Sequence, residues 1–274
     1  MEKVGRAGSF DGCLRHRTNM LKAEEEWRPP LFSPRSNRWS GILARLRRFF
    51  DLQAGSIWND LASLLAQASG TVLDVGCGAQ PYRELLDSGI HYRGIDVVAA
   101  KLHFGYDVPD TVYYDGDDWP VADRSVDLIL CTETLEHVLD TEQFLREAWR
   151  CLRPGGSVIL TVPFAARWHF IPYDYWRITP SGLDYLLRRC GFTSTLVYAR
   201  GNAGTVACYK MMALILPLLL PQRSARVLRW MRRLLAVPLI PFVAILAAVG
   251  NLTLRGRGGA DCLGYTVLST RSPE

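Results

Sequence analysis

The chain has 274 residues, 49% of them hydrophobic and 22% charged, with a formal net charge of +5. That length holds one sizeable α/β domain plus an extension, or two small domains, and the composition excludes a disordered or fibrous protein. Seven scattered cysteines (13, 77, 131, 151, 190, 208, 262) form no C-x-x-C pair and no His/Cys spacing suited to zinc. Neither a disulfide framework nor a metal site is expected; free thiols in a reducing cytosol are.

Residues 1–37 mix charges with Pro29, Pro30 and Pro34 and are expected to be a disordered tail. From Trp39 to about Leu65, apolar residues at helical spacing predict one or two helices. Then "TVLDVG" (71–76) reads as a strand that crosses a Gly-Cys-Gly turn toward a helix start. "HYRGIDV" (91–97), "TVYYDGD" (111–117) and "SVDLILC" (125–131) read as further strands. Asp140 with Gln143 three residues on resembles a capping box for a helix that the turn "RPGG" (153–156) stops. "SVILTVP" (157–163) is the fifth strand, and Thr179-Pro180 caps a helix ending before Gly191. "TSTLVYA" (193–199) and "LGYTVLST" (263–270) complete seven strands, separated by an apolar insert. Strands alternating with helices predict a parallel, doubly wound sheet.

Ligands of such sheets bind at the carboxyl ends of the strands, and glycines there let backbone approach the ligand. Asp96 ends the second strand about twenty residues after the glycines, where a carboxylate can accept from ribose hydroxyls. A G-x-G-x-x-G dinucleotide fingerprint fails at Pro81, and no P-loop lysine follows. Asp74 precedes the glycines and suits a cationic amino acid rather than a pyrophosphate. An adenosine cofactor without phosphates and with a charged methionine end, S-adenosylmethionine, fits both details.

The motifs "LDVGCG" (73–78), "GID" (94–96), "DGDDWPVADRSVDLILC" (115–131), "ETLEHV" (133–138) and "LRPGGSVILTVP" (152–163) together resemble the class I S-adenosylmethionine-dependent methyltransferases of the type 11 group. With "YDYWRITPSGL" (173–183) the resemblance covers roughly 130 residues. It implies a Rossmann-like α/β fold with a seven-stranded, mostly parallel sheet and helices on both faces. It further implies that Asp74, Gly76 and Gly78 line the methionine end and that Asp96 holds the ribose. Asp115 and Gly116 would face the adenine, and Thr132 and Glu133 would flank the cofactor.

Methyl transfer from a sulfonium needs a general base only where the acceptor must lose a proton. His137 and His169 are the candidate catalytic bases; the competing readings are a backbone-bonded helix-entry histidine and packing beneath a lid. Tyr173, Asp174, Trp176 and Arg177 either position a substrate or are core aromatics around a structural ion pair.

The domain is expected over 38–200 and 262–271, with 201–261 as an apolar, basic helical insert between the last two strands. Between Asp184 and Asp261 stand eleven arginines and lysines and no carboxylate. Within 208–251, two apolar runs flank a stretch of five arginines, which suits anionic headgroups; packing on the sheet or on another subunit is the alternative. Two or three helices are expected there, bounded or kinked by Pro217, Pro238 and Pro241. The expected function is methyl transfer to a small-molecule or lipid-linked acceptor, a quinone precursor or glycan, in the cytoplasm, either free there or in peripheral contact with the inner face of the membrane through 208–251. A non-catalytic methyltransferase-like binding module is the alternative. No nucleic-acid partner is expected, because the basic stretch is interleaved with leucines rather than stacking aromatics. The sequence leaves oligomeric state open.

Overall fold

The computed structural model describes residues 38–104, 107–116, 118–219, 237–256 and 258–273. The tail at 1–37 and the arginine stretch at 222–233 lie outside the described residues. Two helices, α1 (Arg38–Phe50) and α2 (Leu52–Leu65), lead into the sheet, with the Asp51 carboxylate between them accepting from the Ala54 N–H. The strands are β1 (Thr71–Val75), β2 (His91–Val97), β3 (Thr111–Tyr114), β4 (Val126–Thr132), β5 (Leu152–Pro163), β6 (Phe192–Arg200) and β7 (Gly264–Arg271). They form one seven-stranded sheet in the order β3-β2-β1-β4-β5-β7-β6, with a short helix, α3 (Val98–Phe104), following β2. β1 to β5 pair in parallel, and β7 runs antiparallel between β5 and β6. The order reverses between β1 and β4, which opens a crevice at their carboxyl ends.

Period-2 alternation decides which helix covers which face. Val72, Leu128 and Leu130 pack against Ile57, Leu61 and Leu65 of α2. Their neighbours Leu73, Ile129 and Cys131 face the opposite way, toward Phe144 and Leu145 of α4 (Thr141–Cys151) and Leu183 and Leu187 of α5 (Pro180–Arg189). Both of these helices start where their capping residues stand. The Asp140 carboxylate accepts from the Gln143 N–H at 2.9 Å, and the Thr179 hydroxyl accepts from Gly182 at 3.2 Å.

Three expectations are corrected. The segment after the glycine turn forms only a 3-10 turn, Arg83–Leu85. Gln80 has φ +53, which cannot continue a helix, and Pro81 follows it without an N–H. Gln80 Nε2 instead donates to Pro109 O and Thr111 Oγ1, both at 2.9 Å, tying the turn to β3. β3 ends at Tyr114 rather than 117, since Gly116 turns the chain at φ +99. β5 starts at Leu152, with "RPGG" absorbed as a register shift: Val126 faces Leu152, but Leu128 faces Ser157.

Between β6 and β7 stand α6 (Ala203–Leu219), a 3-10 turn at Val237–Leu239 and α7 (Ile240–Leu254). Pro238 sits in the turn and Pro241 in the first turn of α7, where a missing N–H costs nothing. Cys208 and Met212 of α6 and Val243, Leu246 and Ala247 of α7 build a second core with Leu52 and Leu263. Any side chain at Gly250 would come within 2.5 Å of Leu52 Cδ1, so α7 lies close on the start of α2. Asn251 Nδ2 donates to Phe49 O at 2.9 Å, and Asn202 Nδ2 to Thr253 O at 3.2 Å. The helix pair is therefore built into the domain.

Candidate active site

The glycine turn sits at the carboxyl end of β1. Gly76 (φ +68) and Gly78 (φ +51) are both left-handed, and a Cβ at Gly76 would collide with the Thr134 side chain beyond β4. Both conditions demand glycine there. Asp96 at the end of β2 accepts the Gly78 N–H through Oδ2 at 2.9 Å and the Val97 N–H through Oδ1 at 2.8 Å. Each oxygen keeps a second lone pair. Burial raises the Asp96 carboxyl above its ordinary range, against the pull of those two N–H groups.

Asp74 lies beneath the turn, fully buried. Its Oδ2 accepts from the Tyr92 hydroxyl at 2.8 Å, while Oδ1 has no hydrogen-bond partner among the described residues. Burial pushes this carboxyl up to about 7, opposed by the Tyr92 bond. Asp115 and Gly116 stand exposed after β3, with open space where a Gly116 Cβ would be.

Thr132 and Glu133 close the β4 end. Glu133 is held at φ +48 by its N–H bond to Thr161 O at 2.9 Å, and its carboxylate accepts from Arg200 Nη2 at 2.7 Å. Arg200 is the last residue of β6, its side chain fully buried, and it also donates to Val162 O at 3.1 Å. Sequence reasoning passed over Arg200. The available signal was a cation ending a strand on the ligand edge of a doubly wound sheet.

The histidines meet in three dimensions. "LEH" (135–137) forms a 3-10 turn after β4, and the loop after β5 folds back on it. The Glu136 carbonyl accepts from the Tyr175 N–H at 2.8 Å and the Trp176 N–H at 3.3 Å. Trp176 Nε1 donates to Val138 O at 2.8 Å. His137 and His169 rings thereby stand 5.1 Å apart, with Phe170 (φ +52) edge-on to His137 at 5.2 Å.

His137 Nδ1 donates to Tyr173 O at 2.8 Å, which leaves Nε2 with the lone pair of the neutral ring. Burial lowers His137 below the ordinary histidine range. His169 is raised: burial opposes its charge, but Asp174 Oδ2, at 3.0 Å from Nδ1, outweighs it. Asp174 is buried, pairs with Arg177 Nη1 at 2.6 Å and Nη2 at 2.7 Å, and also accepts the His169 N–H at 3.0 Å. Despite burial, the Arg177 guanidinium and then His169 hold its carboxyl well below the usual range. With its oxygens so occupied, Asp174 orders the loop. Of Tyr173, Asp174, Trp176 and Arg177, the solvent-facing members are Tyr173, 50% exposed, and Trp176, 43% exposed. Glu136, unremarked in the sequence, is buried within the cluster, with neither carboxylate oxygen hydrogen-bonded among the described residues.

Residues 73–160 match the family model described as "Methyltransferase domain". This domain belongs to the class I methyltransferases, type 11 group. An uncharacterized methyltransferase of Mycobacteroides abscessus is 33% identical over 129 residues, 42% of this chain and 50% of that protein. A probable S-adenosylmethionine-dependent methyltransferase of Mycolicibacterium smegmatis is 31% identical over 100 residues, 35% of this chain and 39% of its own. The chain thus spans half or less of the length of these curated relatives. Among solved structures, a methyltransferase from Archaeoglobus fulgidus superposes with a TM-score of 0.50 at 13% identity, over 84% of this chain and 99% of that one. At that identity the likeness is one of fold.

Proposed function

We propose that this protein transfers a methyl group from S-adenosylmethionine to a small-molecule or lipid-linked acceptor. One observation carries the reading. The Gly76–Gly78 turn is pinned to Asp96 at the sheet's switch point, over an Asp74 oxygen without a partner among the described residues. That set fits the cofactor. The orphaned Asp74 Oδ1 is an acceptor for an ammonium, Asp96 keeps lone pairs for ribose hydroxyls, and the exposed Gly116 leaves room for a flat ring. Bound there, the cofactor supplies a methyl group already activated on a sulfonium. An acceptor lone pair would take that methyl in line as the carbon–sulfur bond broke, and S-adenosylhomocysteine would be the product.

The chain's own residues position the acceptor and receive its proton. Tyr173 and Trp176 line the approach to the histidines, and with no ion on the cluster the His137 Nε2 lone pair can take the acceptor's proton. Calorimetric titration with S-adenosylhomocysteine tests the reading; no heat at millimolar ligand overturns it.

The acceptor reading extends to a lipid surface. Val237–Leu254 is long and apolar enough to cross a membrane by length and composition, yet only 22% of it is buried. Leu214 on α6 is 77% exposed, and Ile245 and Leu252 on α7 are 59% and 66% exposed. Apolar surface of that kind suits the interfacial region of a bilayer, and the arginines at 223–233 suit its anionic headgroups. The double change Leu214→Gln, Ile245→Gln should release the protein from anionic vesicles while leaving cofactor binding intact. Equal flotation of both proteins, or none of the wild type, removes the membrane from the reading.

A further inference from the structure

Glu136, His137 and His169 bring one carboxylate oxygen and two ring nitrogens within 4.8 Å of one another. The sequence hides this, because the histidines stand 32 positions apart and no ligand-like spacing links them. We propose that these three side chains hold a divalent first-row transition metal, zinc in the first instance, with an open position for water or for an oxygen of the acceptor.

Three features support a built site. Glu136 is buried, at 1% exposure, and both its oxygens lack a hydrogen-bond partner among the described residues. A buried carboxylate without donors is costly unless a cation completes it. Next, each imidazole already spends its other nitrogen. His137 Nδ1 donates to the Tyr173 carbonyl at 2.8 Å, and His169 Nδ1 lies 3.0 Å from the Asp174 carboxylate. Metal-binding histidines are oriented by such outer partners, which turn the remaining lone pair toward the ion. Asp174 is itself locked by Arg177 at 2.6 and 2.7 Å, so the outer layer is fixed.

Distance and chemistry agree. His137 Nε2 stands 3.7 Å from Glu136 Oε1, and two ligands of one tetrahedral zinc lie about 3.4 Å apart given bonds near 2.1 Å. Two imidazoles with one carboxylate select zinc or a neighbouring transition ion over magnesium or calcium, which prefer all-oxygen sets. Three protein ligands leave a coordination position open, as catalytic rather than structural zinc sites do. On the methyltransferase reading, an acceptor hydroxyl bound there would ionise more readily. The metal site itself does not depend on that reading.

The test uses the full-length protein, stripped with chelator and titrated with Zn²⁺, and in parallel with Co²⁺ followed by its visible absorption. One ion per chain is expected, with the Co²⁺ band reporting nitrogen–oxygen coordination. Glu136→Gln and His169→Ala should each abolish the band, and Asp174→Asn, which removes the charge held against His169 and Arg177, should weaken Zn²⁺ affinity by about 10–100-fold. S-adenosylhomocysteine binding is measured on every variant and should persist, which certifies the fold. Should Glu136→Gln fail to fold, His169→Ala carries the test alone. Wild-type uptake no greater than that of the Glu136→Gln, His169→Ala double variant overturns the proposal and leaves a protonated Glu136 beside a histidine base. Metal uptake without S-adenosylhomocysteine binding overturns the methyltransferase reading and leaves the metal site standing.

Discussion

The glycine turn after β1 and the histidine cluster beyond β4 and β5 lie on the same edge of one sheet, but they are built by different means. The turn is a local construction: two left-handed glycines, one strand-end carboxylate and contacts between neighbouring strands. The cluster is a long-range one, in which the Glu136 carbonyl clamps the backbone of Tyr175 and Trp176 and so sets His169 beside His137. A site held by neighbouring strands is sensitive to backbone shape. A site held by a folded-back loop is sensitive to its ion pair.

The largest effect should come from the turn. Gly76→Val puts a branched side chain at φ +68 against Thr134, and should cost about 2–5 kcal/mol from strain and overpacking together. Thermal unfolding measures the loss, and S-adenosylhomocysteine binding should vanish with it. A Gly76→Val protein of wild-type stability would mean that the turn tolerates other backbone shapes. Next in size, Arg177→Met strands the buried Asp174 carboxylate and should cost about 2–4 kcal/mol, reduced from the usual range because Arg177 is partly exposed. The cluster should loosen before the sheet does. Hydrogen exchange in Arg177→Met should therefore rise over 168–177 with β1 and β4 unchanged; uniform exchange would show that the two regions open together.

Asp96→Ala removes the acceptor that both pins Gly78 and remains available to a ribose. S-adenosylhomocysteine affinity should fall by about 10–100-fold, the value of one or two hydrogen bonds to a charged group. Unchanged affinity would move the cofactor elsewhere. The smallest effect is one of pH. With Asp74 near 7 in the free protein, an ammonium on its Oδ1 requires the ionised form, so affinity should rise about tenfold from pH 6 to pH 8. The same shift works against the folded state. A carboxyl raised on folding contributes stability that is complete below the unfolded value near 3.9 and is lost as pH rises through 7. Asp74→Asn should therefore flatten both dependences, weakening the ligand while sparing the fold at pH 7. A slope that survives Asp74→Asn belongs to another group.

Much of the chain could be read without coordinates, for identifiable reasons. Seven strands were legible because alternation such as Leu128-Ile129-Leu130-Cys131 splits cleanly between two helical layers. Asp140 and Thr179 marked their helix starts because capping is a contact with the next three residues. The helix expected after the glycine turn was not formed, since Gln80 turns left-handed and spends its amide on β3, a partner about thirty residues away. The insert read as apolar and helical. That α6 and α7 build a core with Leu52 and Leu263 follows from how residues at opposite ends of the domain meet.

By itself, the sequence determined what depends on neighbours along the chain: strand faces, caps, the glycine turn and the carboxylate ending β2. Tertiary structure alone decided what depends on neighbours across it. Arg200 reaches Glu133 from β6, Asp174 orients His169, and Glu136 is enclosed with no donor for its carboxylate among the described residues. The physical reason is that a strand or cap is specified by torsion and periodicity within a few residues. The charge state and ligands of a buried group are specified by whatever the fold packs around it, at any separation in the chain.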